Sequence, residues 1–192
     1  MIVGTTWLRG QLYRLAQLRQ SRAKFSKDAT FRLAPAIDMI LASTALPYSA
    51  AIVCVGARNR IEPDLWRARG FRHVEALDLL SSDGVRGMDM HRLAFADDSF
   101  DLYFASHALE HALEPKRALA EAVRVLRPGG YLYAAFPVGF TPNQHDRWDY
   151  GGVQGFCKHL PERTRWRIIW GANRDGECRL LLEVGRRLNR MA

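Results

Sequence analysis

The stretch HRLAFADDSFDLYFASHALEHALEPKRALAEAVRVLRPGGYLYAAFP, residues 91–137, decides how this chain folds. It begins with an acidic loop and continues into an apolar segment at 99–105, which has the length and composition of a buried strand. Apolar side chains then recur at helical spacing over 115–126, until the Pro-Gly-Gly sequence at 128–130 interrupts them before a second apolar segment at 131–136. Two buried strands around an amphipathic helix predict one βαβ unit of a parallel sheet.

The rest of the chain extends this alternation in both directions. Short apolar segments predict further strands at 50–55, 72–77 and 85–88, and a terminal hairpin built from 165–170 and 178–184. Helical spacing predicts helices at 6–20 and 34–45, with a linker at 21–27 between them. We therefore expect an α/β protein: a Rossmann-like, doubly wound, mostly parallel sheet with an antiparallel terminal hairpin. Residues 1–46 are predicted to be a helical extension of a single globular domain that occupies residues 47–192.

Length and composition narrow the class of protein. The chain has 192 residues, of which 48% are hydrophobic and 25% charged, and this suits one well-buried soluble domain. No apolar run is long enough to cross a membrane. The three cysteines, at 54, 157 and 178, have neither the spacing of a zinc site nor that of a disulfide framework, which favours a reducing, cytoplasmic setting.

The positive charge lies at the two ends of the chain. The formal net charge is +8, and residues 1–27 carry six Arg or Lys and no acidic residue. Basic ends suit nucleic acid or an anionic membrane surface, but we favour a solvated helix face and a basic terminus, because the arginines are spread out and no stacking aromatics are interleaved. An organelle transit peptide and a surface helix of the domain both remain open for the first 27 residues.

The 91–137 stretch resembles the second half of the nucleotide-binding fold in small class I S-adenosylmethionine-dependent methyltransferases, of the type 11-like kind. Those enzymes have an "LPF-x-D-x-SFD" segment, an "LEH" turn and an "R-x-LKPGG" turn in the same order. The matching residues are Leu93, Phe95, Asp98, Ser99, Phe100, Asp101, Leu109, Glu110, His111, Arg124, Leu126, Arg127, Pro128, Gly129 and Gly130. The resemblance implies a seven-stranded sheet, S-adenosylmethionine as cofactor and methyl transfer as the activity.

The first glycine loop departs from the family pattern "D-x-G-x-G-x-G". Gly56 remains, whereas Arg58 and Arg60 stand at the other two glycine positions and Cys54 replaces the acid. One interpretation is a fold that has lost strong cofactor binding. The other, which we favour, is that the Arg58 guanidinium binds the methionine carboxylate of the cofactor in a bidentate pair.

Acids that suit the adenosine part of the cofactor are present. Asp78 ends the second predicted strand 22 residues after Gly56, the spacing of a carboxylate that accepts from ribose hydroxyls. The resemblance further implies that Asp89 accepts from the adenine amino group, that Met90 packs on the adenine face and that Ser106 and His111 lie near the cofactor. The alternative for Asp78 and Asp89 is an ordinary helix-capping or loop acid.

Candidate acceptor-site residues follow the fourth and fifth predicted strands. His107 and His145 are predicted as catalytic, because a neutral imidazole can take a proton from a hydroxyl or amine acceptor. Asp146, Trp148 and Tyr150 are predicted substrate contacts, although a loop whose aromatics merely cover the core is an equal alternative. No metal is predicted, because His107 and His111 lack a third ligand at suitable spacing and the acids at 97, 98 and 101 fit a solvated turn.

The predicted function is methyl transfer from S-adenosylmethionine to an oxygen or nitrogen atom of a small-molecule or glycan-like acceptor. A catalytically silent methyltransferase fold that serves as a binding or regulatory subunit is one alternative, motivated by the altered glycine loop. An RNA-directed methyltransferase, which the basic ends would suit, is the other.

Overall fold

The structure, a computed structural model, describes the backbone of residues 3–187 and the side chains of residues 10–185. The helices are α1 (Val3–Ala23), α2 (Thr30–Ser43), α3 (Ile61–Ala68), α4 (Pro115–Val125) and α5 (Val153–Cys157), with a single 3-10 turn at Leu109–His111. The strands are β1 (Ala51–Val55), β2 (His73–Asp78), β3 (Arg86–Gly87), β4 (Phe100–Ser106), β5 (Leu126–Pro137), β6 (Thr164–Arg174) and β7 (Glu177–Arg187). Within the described range, no helix combines the length and the apolar composition that crossing a membrane requires.

All seven strands form one sheet in the order β3-β2-β1-β4-β5-β7-β6. β1 pairs in parallel with β2 on one side and with β4 on the other, and β3 and β5 continue the parallel part outward. β7 runs antiparallel between β5 and β6. The predicted α/β fold with an antiparallel terminal hairpin is confirmed, and it is the second strand of the hairpin that joins the hairpin to the sheet.

Alternate side chains of the central strands enter two separate apolar cores, as a sheet covered on both faces requires. In β1, Val53 and Val55 pack on the face covered by α4 and α5. Ile52 and Cys54 pack on the other face, against residues of α2 and α3. This two-sided burial explains why β1 is an uninterrupted apolar run.

The helix of the 91–137 stretch forms where the sequence predicts it. Pro115 occupies the first turn, and Ala118, Leu119, Ala122 and Val123 form its buried stripe. The prediction that Pro-Gly-Gly separates the helix from the next strand is wrong, because β5 starts directly at Leu126 and includes these residues. A register shift between Phe100 and Leu102 of the neighbouring strand β4 accommodates them.

The predicted linker at 21–27 is partly helical. α1 continues to Ala23, so Ser21 belongs to its last turn, and α2 starts at Thr30, four residues before the predicted start. Ser21 is buried although it is polar, and the contact responsible lies in the site described below.

Gly56, which follows β1, adopts a backbone conformation that side chains disfavour, at φ +78°, and an added Cβ would lie 2.5 Å from the Cβ of Ala108. We expect Gly56→Ala to lower the free energy of unfolding by roughly 1–2 kcal/mol for the left-handed conformation and by about 1–3 kcal/mol more for the clash. Urea denaturation measures this loss.

Gly139→Ala is the matched control, since Gly139 has φ +76° and no atom within 4 Å of the added Cβ. It should show the conformational loss alone. Equal losses in the two variants would mean that the close approach of residues 56 and 108 contributes nothing to stability.

Candidate functional site

A cavity opens at the carboxyl ends of β1 and β2, beside the segment that follows β4. This is where the strand order reverses, the usual ligand position in an open parallel sheet. Seven of the residues predicted from the sequence line this one cavity: Gly56, Arg58, Asp78, Asp89, Met90, His107 and His111. The topology thus brings together residues that lie up to 55 positions apart in the chain.

The two arginines of the first loop have different surroundings. Arg58 lines the cavity and keeps a left-handed backbone, at φ 40°, although it stands where the related sequences have glycine. Arg60 points away and binds Asp83 at 2.9 Å and Asp64 at 3.4 Å, with about half of its side chain exposed. Only Arg58 is placed to contact a ligand in the cavity.

Asp78 lies at the end of β2 and is 8% exposed. Its Oδ1 accepts hydrogen bonds from the backbone N–H of Leu80 at 3.0 Å and from the Ser21 hydroxyl at 2.9 Å. Ser21 comes from α1, so the helix presents a hydroxyl to the same carboxylate that is predicted to accept from ribose hydroxyls.

Asp89 is oriented by His91, which sequence reasoning did not single out. Both the backbone N–H of His91, at 2.9 Å, and its ring Nδ1, at 2.5 Å, donate to Asp89 Oδ1. The other ring nitrogen accepts from the backbone N–H of Glu114 at 3.2 Å, which assigns the neutral Nδ1-protonated tautomer. Although burial opposes it, these bonds lower the pKa of Asp89, so the carboxylate is ionised and available as an acceptor.

Glu110, His111 and Asp146 form a cluster at the wall of the cavity. Burial raises the pKa of Glu110 to about 8 and lowers the pKa of His111 to about 4, so both side chains are neutral near pH 7. His111 Nδ1 donates to the backbone carbonyl of His145 at 2.9 Å and lies 3.2 Å from Asp146 Oδ1. Its Nε2 therefore carries the lone pair, 3.9 Å from Glu110 Oε1.

The Glu110–His111–Asp146 cluster also has the composition of a metal site, since one ligand atom from each residue lies within 4.8 Å of the other two. Arg58 and Lys24 lie close enough to lower the pKa of His111, and their positive charge opposes a bound cation. Of the acids in the 97–101 loop, Asp97 pairs with Arg124 and Asp101 with Arg127. These two carboxylates therefore stabilise the loop and the adjoining strands by ion pairs.

His107, at φ 53°, lines the cavity beside this cluster. Its Nε2 binds Glu177 Oε2 of β7 at 2.8 Å, and its Nδ1 is 3.6 Å from Glu110 Oε1. Although burial opposes it, the bonds from His107 and Arg179 lower the pKa of Glu177 to about 2, so an ionised carboxylate holds the His107 ring.

The other predicted site residues do not line the cavity. Ser106 is buried within β4, paired with Ala135 of β5, and the ring of His145 lies outside, 3.2 Å from the side-chain nitrogen of Gln144. Asp146 reaches the site only through His111. The polar atoms of Trp148 and Tyr150 donate to the backbone carbonyls of Ala112 and Leu109, and their rings pack in or against the core. This packing favours the alternative of a core-covering loop, and contact with substrate stays a prediction.

Helix α1 covers the cavity with a polar face. Tyr13, Gln17 and Ser21, spaced four residues apart, are all buried against it, and Gln17 donates to the His145 carbonyl at 3.3 Å. The enclosed space beneath is only about 40 Å³, whereas ligand pockets occupy roughly 300–1,000 Å³. Sequence reasoning missed these residues because it followed the leucines of this helix; the polar i, i+4, i+8 stripe was the available indication.

The strand order and the position of the cavity are those of the class I methyltransferase fold. Residues 67–134 match the family model described as a methyltransferase domain. The chain is 37% identical over 101 residues to a demethylmenaquinone methyltransferase of Renibacterium salmoninarum, covering 53% of this chain and 34% of that protein. It is 32% identical over 111 residues to a ubiquinone/menaquinone biosynthesis C-methyltransferase of Paracoccus denitrificans, covering 56% and 42%.

Among solved structures, the 1,6-didemethyltoxoflavin-N1-methyltransferase of Burkholderia thailandensis has the same fold, with a TM-score of 0.63, 15% identity, and 95% of this chain and 89% of that one covered. The chain spans about a third to two fifths of the length of the two curated relatives. Residues 67–134 are thus similar to a methyltransferase domain, and the chain shares the fold of class I S-adenosylmethionine-dependent methyltransferases.

The buried Glu110 makes stability depend on pH in a defined direction. Its pKa rises from the ordinary value of 4.5 to about 8 on folding. Its contribution to stability is complete below about pH 4.5, where folded and unfolded chains are both protonated, and is lost as pH rises towards about 8 because the unfolded chain ionises first. Glu110→Gln cannot ionise, so its melting temperature relative to the unmodified protein should rise between about pH 4 and pH 9.

Thermal unfolding monitored by circular dichroism measures this difference, and Glu162→Gln, at an exposed site, is the control that should stay flat. His111 titrates in both proteins and so cancels to first order. A Glu110→Gln difference that is constant with pH would contradict the assignment of a neutral buried Glu110.

The Ser21–Asp78 hydrogen bond must break before a ribose hydroxyl can bind the same oxygen of Asp78. Ser21→Ala removes this competition, and we expect S-adenosylhomocysteine to bind roughly fivefold more tightly, since such a bond contributes about 1 kcal/mol. Isothermal titration calorimetry measures the change, with Ser26→Ala, exposed in the next segment, as control. Weaker binding to Ser21→Ala would mean that Ser21 helps to hold the cofactor.

Proposed function

We propose that this chain binds S-adenosylmethionine in the cavity at the ends of β1 and β2 and transfers its methyl group to a small hydroxylated aromatic acceptor. The observation that carries the proposal is the convergence of Asp78, Asp89 and Arg58 on one cavity at the point where the strand order reverses. Two acceptor carboxylates and one guanidinium match a ligand that has a ribose diol, an adenine amino group and a free carboxylate.

Each of these side chains has an assigned partner in the proposal. Asp78 accepts from the ribose hydroxyls, and Asp89, kept ionised by His91, accepts from the adenine amino group. Met90 packs on the adenine face. Gly56 lets the backbone come close to the ligand, and Arg58 binds the methionine carboxylate in place of the backbone contacts that a glycine-rich loop would make.

When bound, S-adenosylmethionine supplies an electrophilic methyl group on a sulfonium. The acceptor must then lose a proton, and His111 is the group we assign to take it. Its ring lines the cavity, its Nδ1–H is held by the His145 carbonyl, and its Nε2 lone pair is free to accept. In this proposal His145, which the sequence predicts as the base, contributes only the backbone carbonyl that holds His111. The His107 ring, held by Glu177, forms part of the cavity wall.

The names of two relatives support the proposed acceptor class. The protein from Paracoccus denitrificans is named as a C-methyltransferase of ubiquinone and menaquinone biosynthesis, and that from Renibacterium salmoninarum as a demethylmenaquinone methyltransferase. We therefore include a ring carbon among the proposed acceptor atoms, beside the oxygen and nitrogen predicted from the sequence. The names of these two relatives favour a quinone-type acceptor over the predicted glycan-like one.

A second candidate is the catalytically silent binding subunit. The hydrogen bond from Ser21 to Asp78 and the enclosed volume of about 40 Å³ favour it, since α1 fills much of the place that a cofactor needs. The enzyme requires α1 to move away from the cavity when the cofactor binds, whereas the binding subunit does not.

Calorimetry with two ligands tests the assigned contacts. S-adenosylhomocysteine has the methionine carboxylate, whereas 5′-methylthioadenosine shares its nucleoside and lacks the amino acid. We expect Arg58→Met to weaken S-adenosylhomocysteine about tenfold or more, as loss of a charge-assisted hydrogen bond does, and to leave methylthioadenosine unchanged. Asp78→Asn should weaken both ligands.

Arg60→Met and Asp83→Asn are the matched controls, because these residues pair with each other outside the cavity. If neither ligand binds the unmodified protein, the silent-subunit function replaces the enzyme. If both ligands bind but no methyl group is transferred from radiolabelled S-adenosylmethionine to a quinol or a phenol, the cofactor site is retained and the proposed acceptor class is wrong. Transfer to RNA instead would identify an RNA-directed enzyme.

A further inference from the structure

Helix α1 has its polar and apolar faces reversed with respect to an ordinary surface helix. Among the side chains of α1 from residue 10 onward, the buried ones are Tyr13, Gln17 and Ser21, whereas Leu12 is 60% exposed and Leu15 is 52% exposed. A surface helix normally turns its leucines inward and its polar residues to solvent. The polar face is explained by the cavity that it covers, but nothing among residues 10–185 covers the leucines.

Basic side chains accompany these leucines. Arg19 lies four residues after Leu15 on the same side of the helix, Arg22 follows in its last turn, and both are exposed. Phe25, directly after the helix, is 43% exposed. Residues 1–27 contain six basic and no acidic residues, so this segment itself contributes only positive charge to the surface.

Exposed apolar side chains are concentrated in this part of the chain. Of the eight large hydrophobic residues exposed among residues 10–185, five lie between positions 12 and 39. The other three are Tyr48, Trp166 and Ile168. Three of these five, Leu12, Leu15 and Phe25, lie on α1 or directly after it, so exposed apolar residues are concentrated at this helix.

We infer that the outward face of α1, formed by Leu12, Leu15, Arg19, Arg22 and the following Phe25, docks on an anionic membrane surface. A helix that carries apolar and basic side chains on its outward side lies in the plane of the interface, where the apolar groups enter the headgroup boundary and the cations bind anionic lipid. Such a surface provides partners for the apolar side chains and for the basic side chains of the face.

The charge argues against the other occupants of this face. Two copies of the chain related by a two-fold axis would bring Arg19 and Arg22 of each close to those of the other, without an acid in residues 1–27 to compensate. Nucleic acid would use the arginines but would leave Leu12 and Leu15 without a partner, because phosphate contacts require donors. A membrane surface accepts both.

Docking in this orientation would place the helix that covers the cavity directly at the lipid surface, with its polar face still on the protein. An apolar acceptor dissolved in the bilayer would then lie on the other side of α1. The inference concerns the outer face alone, so it does not depend on methyl transfer, and its failure would leave binding of S-adenosylhomocysteine unaffected.

Flotation of the purified chain with lipid vesicles tests the inference. We expect recovery with vesicles that contain phosphatidylglycerol and much less with vesicles of phosphatidylcholine alone. Leu12→Ser with Leu15→Ser should lower recovery on the anionic vesicles about tenfold, and Arg19→Gln with Arg22→Gln should abolish the preference for anionic lipid. Because these side chains are exposed, the folds of the variants should be retained, which circular dichroism checks.

The matched control combines Ile168→Ser with Arg165→Gln on β6, where the same residue types are exposed, and it should bind like the unmodified chain. Absence of binding to the anionic vesicles, or full binding by the leucine variant, overturns the inference. The inference is also overturned if the unmodified chain does not bind vesicles but sediments as a dimer, and the leucine variant sediments as a monomer. Salt-dependent binding to RNA without vesicle binding would assign the face to nucleic acid and overturn it as well.

Discussion

Strand β1 pairs in parallel with β2 on one side and with β4 on the other, and this pairing determines where the protein can form a site. Parallel strands end at the same edge of a sheet, and the connections leave that edge in opposite directions from β1. The backbone therefore diverges around a crevice at the ends of β1, β2 and β4. Gly56 makes the divergence compact, because it lets the first turn approach Ala108 more closely than any side chain would allow.

Charge inside the crevice is controlled by burial and by second partners. His91 keeps Asp89 ionised, Glu177 holds His107, and burial keeps Glu110 and His111 neutral. A buried carboxyl group stays neutral unless a cation or several donors compensate its charge, and the described contacts of Glu110 provide too little of either. The cavity wall therefore contains a neutral His111 ring whose Nε2 carries a lone pair, and our proposal assigns this lone pair to proton removal.

Helix α1 links the interior of the site to the surface. Its buried stripe is polar because it faces polar groups of the cavity. The Ser21 hydroxyl gives the buried Asp78 carboxylate a hydrogen-bond donor in addition to the backbone N–H of Leu80. The same geometry forces the leucines outward. A helix on the surface buries only one of its faces. Because the polar face of α1 is buried against the cavity, the leucines on its other face are exposed to solvent.

The apolar run of β1, the buried stripe of α4 and the βαβ alternation of 91–137 follow from local periodicity, and they were predictable because each depends on residues close in sequence. Asp78 was predictable because it ends the second strand, and Asp89 because the family resemblance implies it. The sequence by itself thus determined the fold class, the resemblance to methyltransferases and these two acids of the cavity. Only the tertiary structure decided that Arg58 and not Arg60 faces the cavity, that the His145 carbonyl accepts from His111, and that Ser21 binds Asp78. These depend on distances between segments far apart in the chain, set by the packing of α1 and the 143–146 loop against the sheet, which periodicity does not encode.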